Sequence, residues 1–241
     1  MSKPNIANNN IDTKAVVITI DGPSGAGKGT ICQKLADSLG FHLLDSGALY
    51  RLTALALEQQ QVNIADELAV ADIASQLDIQ FKTSERGVKT LLDGRDVSRE
   101  IRLEKTGMNA SKVAAFEPVR AALLARQRAF AQLPGLVADG RDMGTTVFPK
   151  AMLKIFLTAS AEERAKRRYQ QLIERGESAN LRAQLQDILA RDSADSSRAS
   201  SPLKAAADAI EIDSTTMPIQ AVLDKVMLLV KERLSKEKVL S

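Results

Sequence analysis

Short apolar runs alternate with amphipathic stretches along most of the chain. The β-branched run AVVITI at 15–20 ends at Asp21 and Gly22, and it predicts a strand that is buried on both faces. A helix is predicted to begin near Lys28, after a glycine-rich segment, and to end at Gly40. Further strands are predicted at 41–44, 136–138, 153–157 and 209–212. Further helices are predicted at 48–61, 66–77, 104–116, 117–133, 161–175, 180–197 and 218–235.

This alternation of strands and helices predicts an α/β fold with a parallel sheet and right-handed crossovers. In such sheets, ligands bind at the carboxyl ends of the strands. Asp21, Asp45 and Asp139 each stand at the end of a predicted strand. We therefore expect these three carboxylates to lie along one edge of the sheet, where a ligand would bind.

The middle of the chain departs from this pattern. Two short runs at 79–82 and 89–92 flank a turn at 83–87, which together predict a β-hairpin. Because the hairpin falls between helices, we expect an insert over the main sheet, and we place it at about 63–103.

The overall composition indicates a globular protein that handles small anionic molecules. Of the 241 residues, 44% are apolar and 26% are charged, which is ordinary for a folded domain, and the formal net charge is +3. Nucleic-acid binders need a basic stripe or stacking rings, whereas this chain has a mild charge, no Trp and two Tyr. We expect no nucleic-acid partner and a monomeric protein.

The single cysteine, Cys32, excludes an intrachain disulfide and favours a reducing compartment. It falls inside the first predicted helix, so we expect it to pack in the core, and we expect His42 to be structural. Residues 1–13 are polar and Asn-rich, without the apolar segment of a secretory signal. No apolar run approaches the ~18 residues of a membrane span. We expect a flexible tail at 1–13, one domain at 14–241, no membrane partner and a cytoplasmic location.

The most specific chemical signal is the glycine-rich loop between the first strand and the first helix. Its residues are Gly22, Pro23, Ser24, Gly25, Ala26, Gly27, Lys28, Gly29 and Thr30. They match the pattern G-x-x-x-x-G-K, except that Gly29 stands where Ser or Thr usually follows the lysine. Backbone N–H groups in such a loop surround phosphate oxygens, and Lys28 reaches the β- and γ-phosphates. We expect ATP to bind here, with Thr30 facing Mg²⁺ directly or through water.

Two further segments carry charge beside predicted strand ends, and each has a plainer alternative. Asp45, Ser46 and Arg51 are candidate substrate residues, with Arg51 suited to a second phosphate group. The alternative is a helix cap followed by an ordinary amphipathic helix. The segment DGRDMG at 139–144 is either part of a site or a solvated turn.

The predicted helices at 161–175 and 180–197 are dense in arginine. Arg164, Arg167 and Arg168 share one helix face, because residues three and four apart are neighbours on a helix. They either lie on a solvated face or belong to a mobile lid that brings positive charge to a transferring phosphoryl group. We place this lid at about 160–200 and expect the three arginines to be catalytic.

Three segments together resemble the bacterial-type cytidylate kinases of the nucleoside monophosphate kinase superfamily. They are GPSGAGKGT at 22–30, LLDSGALYR at 43–51 and LVADGRDMGTTVFP at 136–149. The resemblance extends in order from about residue 15 to residue 235. It implies a P-loop fold of three layers, αβα, around a central parallel sheet. It also implies an Arg-rich helical lid and a small β-containing insert in the monophosphate-binding segment.

The same resemblance implies that ATP with Mg²⁺ is the phosphoryl donor and that CMP or dCMP is the acceptor. The residues implied are Ser46, Ser111, Arg120 and Asp142 for the cytosine ring, Arg51, Arg141 and Arg198 for the CMP phosphate, and Asp195 with Arg191 for the sugar. A carboxylate such as Asp142 can accept a hydrogen bond from the cytosine amine, while Ser and Arg donate to the ring acceptors N3 and O2. Uracil replaces the amine by a carbonyl oxygen, which the carboxylate would repel.

Two rival functions stay open on the sequence. A P-loop kinase for another small acceptor would keep Lys28 but would have no use for Asp142 and Ser46 as readers of a base. A GTPase-type regulator would carry an N-K-x-D segment to read guanine, and the sequence has none.

Overall fold

The computed structural model describes residues 15–84 and 87–240, except for the side chains of 81–84, 87–88 and 236–240. The strands are β1 (Val16–Asp21), β2 (His42–Asp45), β3 (Ile79–Ser84), β4 (Gly87–Leu92), β5 (Arg95–Asp96), β6 (Gly135–Gly140), β7 (Leu153–Thr158) and β8 (Ile210–Asp213). The helices are α1 (Lys28–Leu39), α2 (Ser46–Gln59), α3 (Glu67–Gln76), α4 (Glu104–Val113), α5 (Glu117–Arg128), α6 (Ala161–Glu174), α7 (Leu181–Ser197) and α8 (Ile219–Leu240). The predicted tail at 1–13 lies outside the described residues, as do residues 85–86 of the predicted turn.

The central sheet contains five strands in the order β2-β6-β1-β7-β8, and every neighbouring pair is parallel. All of the strands predicted for the main sheet are present. Asp45 ends β2 and pairs in register with Asp139 of β6, while Asp21 ends the adjacent strand β1. The three carboxylates therefore lie along the carboxyl edge of the sheet, as the sequence predicted.

Alternate residues of β6 pack on opposite faces of the sheet. Val137 belongs to a buried cluster with Ile31 of α1 and Val226 of α8. Leu136 and Ala138 belong to a second cluster, which contains residues of α2, α3, α4 and α5. Since side chains alternate along a strand, this division places helices on both faces and confirms the three-layer αβα arrangement.

The predicted insert contains a small antiparallel sheet in the order β3-β4-β5. Asp93 and Gly94 form the turn between β4 and β5, with φ values of 50° and 76°. Strand β5 was not predicted, because two residues are too short to show a period. The insert packs on α2, where Leu92 and Val97 form a buried cluster with Leu52.

Several predicted helix ends were wrong. Helix α4 ends at Val113 rather than 116, and α5 ends at Arg128 rather than 133. After α5 the chain tightens into i to i−3 hydrogen bonds, so that Ala131 N–H donates to the Arg128 carbonyl oxygen. Helix α8 extends to Leu240, beyond the predicted 235. A π-helical turn at Met143–Val147 was not predicted. No helix among the described residues is long and apolar enough to cross a membrane.

Candidate active site

The glycine-rich loop leads from β1 directly into α1. Gly22 passes so close to β7 that a Cβ atom there would lie 2.0 Å from the Leu157 carbonyl oxygen. Gly25 and Gly27 have φ values of 80° and 94°, which strongly favour glycine. Gly27 is the N-cap of α1 and has no side chain to occupy the first-turn N–H groups. These donors and the positive end of the helix dipole form a site for an anion.

The Lys28 ammonium group is buried beside the loop. Its Nζ donates to the Pro23 carbonyl oxygen at 2.9 Å and lies 3.9 Å from the Asp139 carboxylate. Burial and, to a smaller extent, the positive charge of Arg141 lower the pKa of Lys28 to about 8, while Asp139 opposes the shift. Burial raises the pKa of Asp139 to about 7, with Lys28 acting in the opposite direction. A polyphosphate arriving in the loop would favour the charged form of Lys28.

Two arginines of α6 contact the outside of the loop. Arg164 donates to the Ser24 carbonyl oxygen at 3.1 Å and forms a two-point ion pair with Asp192 of α7, at 3.0 Å and 2.5 Å. Arg167 donates to the Ala26 carbonyl oxygen of the loop at 3.5 Å and to the Ser214 carbonyl oxygen at 2.7 Å. Arg164 is almost fully buried. Since it lies on α6 and contacts both the loop and α7, it connects the loop to both helices of the predicted lid.

Three other cations surround one carboxylate, Glu104 of α4. Arg168 of α6 donates to Glu104 at 2.6 Å, and Arg191 of α7 pairs with it at 3.0 Å. Arg51 of α2 approaches the same place, since a Cβ atom on Gly107 would lie 2.7 Å from Arg191 Nη2 and 3.0 Å from Arg51 Nη1. Burial lowers the pKa of Arg51, and the nearby Arg191 adds to the effect. The cluster has an excess of positive charge and suits a phosphate group.

A second cationic pair shares the lid carboxylate Asp195. Arg141 Nε donates to Asp195 Oδ2 at 2.9 Å, and Arg198 Nη2 donates to Asp195 Oδ1 at 2.8 Å. Burial lowers the pKa of Arg198, while the charge of Asp195 opposes this shift. These contacts place two of the three predicted phosphate arginines, Arg141 and Arg198, beside the residue predicted to contact the sugar.

Asp142 and Arg120 form a buried ion pair, with side chains that are 3% and 9% exposed. Arg120 also donates to the Ala114 carbonyl oxygen at 3.2 Å, and its guanidinium carbon lies 5.7 Å from the centre of the Tyr50 ring. The pair thus presents a fixed carboxylate and a fixed guanidinium in a pocket with one aromatic wall.

The remaining predicted residues lie on α2 and α4. Asp45 caps α2, because its carboxylate accepts from the Ala48 N–H at 3.0 Å, and it also lines the cleft. Ser46 Oγ donates to Gln127 Oε1 at 2.9 Å, and Ser111 Oγ donates to the Gly107 carbonyl oxygen at 3.3 Å. Both hydroxyl groups belong to residues that line the same cleft.

One cleft of about 930 Å³ brings nearly all of the predicted residues together. Its lining contains the loop from Ser24 to Thr30 and every other predicted site residue except Gly22, Pro23 and Arg164. Residues that are far apart in the sequence therefore converge on a single cavity at the carboxyl edge of the sheet, which is the position expected for this fold.

The chemistry of the loop fits a magnesium ion that is shared with a nucleotide. Thr30 and Asp139 both line the cleft, and a Cβ atom on Gly29 would lie 3.6 Å from Asp139 Oδ2. Across the part of the chain that the structure describes, no three His, Cys, Asp or Glu side chains form a dedicated metal cluster. Magnesium commonly binds through one or two protein oxygens together with phosphates and water, so a hydroxyl and a carboxylate fit it.

Several residues in or beside this site were given no role in the predictions from the sequence. Asp139 was placed at the sheet edge but was assigned no role. Glu104, Gly107 and Gln127 were not singled out, since their partners are distant in the sequence; Glu104 and Arg168, for example, are 64 residues apart. Cys32 and His42 are structural as expected, with Cys32 fully buried and His42 Nε2 3.0 Å from the Leu133 carbonyl oxygen.

Solved structures that match this chain include a gluconokinase from Sinorhizobium meliloti 1021, with a TM-score of 0.48 and 14% identity over 94% of this chain and 97% of that one. TT1252 from Thermus thermophilus matches with a TM-score of 0.46 and 20% identity over 92% of this chain and 98% of that one. Likenesses at this level support no statement about the chemistry of the cleft.

Curated relatives are far more similar. The cytidylate kinase of Aeromonas salmonicida (strain A449) is 57% identical over 220 residues, which cover 91% of this chain and 96% of the relative. That of Escherichia coli (strain K12 / DH10B) is 53% identical over 221 residues, covering 92% and 97%. The family model described as cytidylate kinase matches residues 18–232. The match to the family model and relatives of this identity show that the chain belongs to the cytidylate kinase family.

Proposed function

We propose that this chain transfers the γ-phosphoryl group of ATP to CMP or dCMP, which releases ADP and CDP or dCDP. The observation that carries this function is the single cleft, in which a phosphate loop and a pocket with a fixed carboxylate are joined by clusters of arginine. Membership of the cytidylate kinase family supports the same reaction.

On the donor side, the loop and α1 bind the ATP phosphates through backbone N–H groups. Lys28 leaves the Pro23 carbonyl oxygen and neutralises charge on the β- and γ-phosphates. Thr30 and Asp139 would hold Mg²⁺, directly or through water, and the ion supplies further neutralisation of the phosphate oxygens. Arg167 and Arg168 lie on the lid side of the same cleft and stabilise the transferring group, while Arg164 supports the loop.

On the acceptor side, Asp142, Arg120, Ser46 and Ser111 read the cytosine ring. Arg51, Arg141 and Arg198 bind the CMP phosphate, and Asp195 with Arg191 binds the sugar. The charges in the cleft support this division. Asp142 and Arg120 form a buried ion pair that suits a neutral base, whereas the arginines around Glu104 and Asp195 carry surplus positive charge that suits a phosphate.

The transfer needs no general base. The second pKa of a nucleotide phosphate is about 6, so the CMP phosphate is largely a dianion at neutral pH and can attack the γ-phosphorus directly. One CMP phosphate oxygen forms the new P–O bond, the bond from the γ-phosphorus to the β-γ bridging oxygen breaks, and ADP keeps the electron pair. Catalysis then consists of in-line positioning and charge neutralisation.

The lid protects this reaction from water. Arg168 and Arg191 connect α6 and α7 to α4 through Glu104, and closure of these contacts over bound substrates would exclude water from the γ-phosphate. We also propose that the protein acts in pyrimidine nucleotide metabolism, as a monomer, in a reducing compartment such as the cytoplasm. The single cysteine, which is fully buried, is compatible with that compartment.

An acceptor panel tests the proposed function. ADP release is measured with ATP·Mg²⁺ and with CMP, dCMP, UMP, AMP and GMP in turn, using a coupled assay. We expect turnover with CMP and dCMP far above the other nucleotides. Turnover with another nucleotide, or with none of them, would retain the ATP site but reject the assignment of the acceptor pocket.

A further inference from the structure

Gln127, near the end of α5, is buried behind the wall of the acceptor pocket. Its side chain is 1% exposed, and its Oε1 accepts a hydrogen bond from Ser46 Oγ at 2.9 Å. Ser46 is the first residue of α2 and lines the cleft, whereas Gln127 is not part of the lining. Gln127 also lies beside the Tyr50 hydroxyl, which belongs to another residue of the lining. Its direct hydrogen bond to the cleft wall is the one to Ser46.

The direction of this hydrogen bond determines what Ser46 can offer a ligand. A serine hydroxyl has one hydrogen and two lone pairs. Because the hydrogen is donated to Gln127, Ser46 Oγ can present only lone pairs to the cleft, and not the hydrogen that was expected from the sequence. Rotating the hydroxyl toward a ligand would leave the buried Gln127 oxygen without its donor, which is unfavourable away from water.

Ser46 and Asp142 have the same hydrogen-bonding role toward a ligand. An ionised carboxylate can only accept hydrogen bonds, so Asp142 and Ser46 are both groups that accept and do not donate. The exocyclic amine of cytosine carries two N–H groups and can satisfy two acceptors. The corresponding carbonyl oxygen of uracil has no hydrogen and would face lone pairs on both sides.

We propose that Gln127 is a positioning residue that makes Ser46 a hydrogen-bond acceptor and thereby selects cytosine over uracil. This inference rests on the proposed function, in which Ser46 and Asp142 read the base. It adds a residue that never touches the substrate and yet sets the choice between two pyrimidines, because it decides the direction of one hydrogen bond.

The first test is Gln127→Met, which keeps a similar volume but removes the strong acceptor. The Ser46 hydroxyl is then free to donate to the uracil carbonyl oxygen. We expect the CMP-to-UMP ratio of kcat/KM to fall about tenfold, mainly through improved use of UMP. The matched control is Gln132→Met on the exposed surface, which should leave the ratio unchanged. An equal loss of kcat/KM for CMP and UMP would show a purely structural role and overturn the proposal.

A double-mutant cycle tests whether Gln127 acts through Ser46. In a Ser46→Ala background, Gln127→Met should have no further effect on the CMP-to-UMP ratio, because no hydroxyl remains to be oriented. The same fall in both backgrounds would contradict the mechanism.

A second variant covers the case in which Gln127→Met does not fold. Gln127→Glu keeps oxygen acceptors within reach of Ser46, so the preference for CMP should stay near that of the wild type. A fall to the level of Ser46→Ala would overturn the proposal. The CMP-to-UMP ratio of the wild type separates a failure of the proposed function from a failure of the role of Gln127. If the wild type does not prefer CMP, the proposed function itself is rejected. If the wild type prefers CMP and Gln127→Met keeps that preference, only the role of Gln127 is rejected.

Discussion

Replacing Gly107 by alanine should damage substrate binding without destabilising the protein. Gly107 lies inside α4, where alanine is favoured over glycine by about 1 kcal/mol. An added Cβ atom would lie 2.7 Å from Arg191 Nη2 and 3.0 Å from Arg51 Nη1. Both neighbours are the ends of long, flexible side chains, so the guanidinium groups would move and the helix would stay in place.

The size of the effect follows from these distances. Ordinary contact to a Cβ atom begins at 3.4 Å, so Arg191 must move away by about 0.7 Å and Arg51 by about 0.4 Å. A misplacement of about 1 Å can reduce a rate by about 10²-fold. We therefore expect kcat/KM for CMP to fall roughly tenfold to hundredfold, while the free energy of unfolding stays within about 1 kcal/mol of the wild type.

The assay is steady-state kinetics with CMP varied at saturating ATP, together with thermal unfolding of the same preparation. KM for ATP should not change, because the displaced arginines lie on the acceptor side. Met108→Ala is the matched control, since Met108 is the next residue of α4 and its side chain is 49% exposed. If KM and kcat for CMP in Gly107→Ala equal those of the wild type, Arg51 and Arg191 do not contact the substrate.

Three further predictions concern charge. Lys28→Ala should abolish turnover yet leave CMP affinity nearly intact in calorimetry, and an equal loss of CMP affinity would contradict its place on the ATP side. In the wild type, kcat/KM for ATP should fall as the pH rises through about 8, because Lys28 loses its charge above its lowered pKa; a flat alkaline profile would contradict this. Asp195→Asn should reduce the free energy of unfolding by about 3 kcal/mol without ligand, since Arg141 and Arg198 lose their shared carboxylate. CMP should restore part of that stability, and thermal unfolding with and without CMP measures both effects.

The fold could be predicted largely from the sequence because its signals are local and periodic. The buried strands of the parallel sheet are short β-branched or apolar runs, and the helices between them repeat apolar residues at helical spacing. The glycine-rich loop could also be predicted, since the positive φ angles of Gly25 and Gly27 favour glycine at those positions. The three strand-end carboxylates followed from the topology alone.

Features that depend on distant contacts could not be predicted in this way. The π-helical turn at Met143–Val147 is held by Asp21, whose carboxylate accepts from the Met143 and Gly144 N–H groups at 2.8 Å, more than 120 residues away in the sequence. Asp21 was predicted to lie near a ligand, but its side chain is buried in these backbone contacts, and burial raises its pKa to about 6. Only the folded chain shows which carboxylates support the backbone and which face the cleft.

The arginines show a similar division. Arg164, Arg167 and Arg168 share a helix face, as their spacing predicts, but they contact different partners. Arg164 pairs with Asp192 behind the loop, whereas Arg168 reaches Glu104 across the cleft. Periodicity indicates which face of a helix a side chain occupies, but the partner depends on which other element packs there.

The CMP-to-UMP ratio of kcat/KM, measured in parallel for the wild type and Asp142→Ala, shows whether Asp142 recognises the base. We expect a strong preference for CMP in the wild type and a much smaller ratio in the variant, because the carboxylate that accepts from the cytosine amine is gone. The variant should also lose about 3–5 kcal/mol of stability, since Arg120 stays buried without its partner, so the assay is run below its unfolding temperature. An unchanged ratio would contradict the assignment of this pocket to the base.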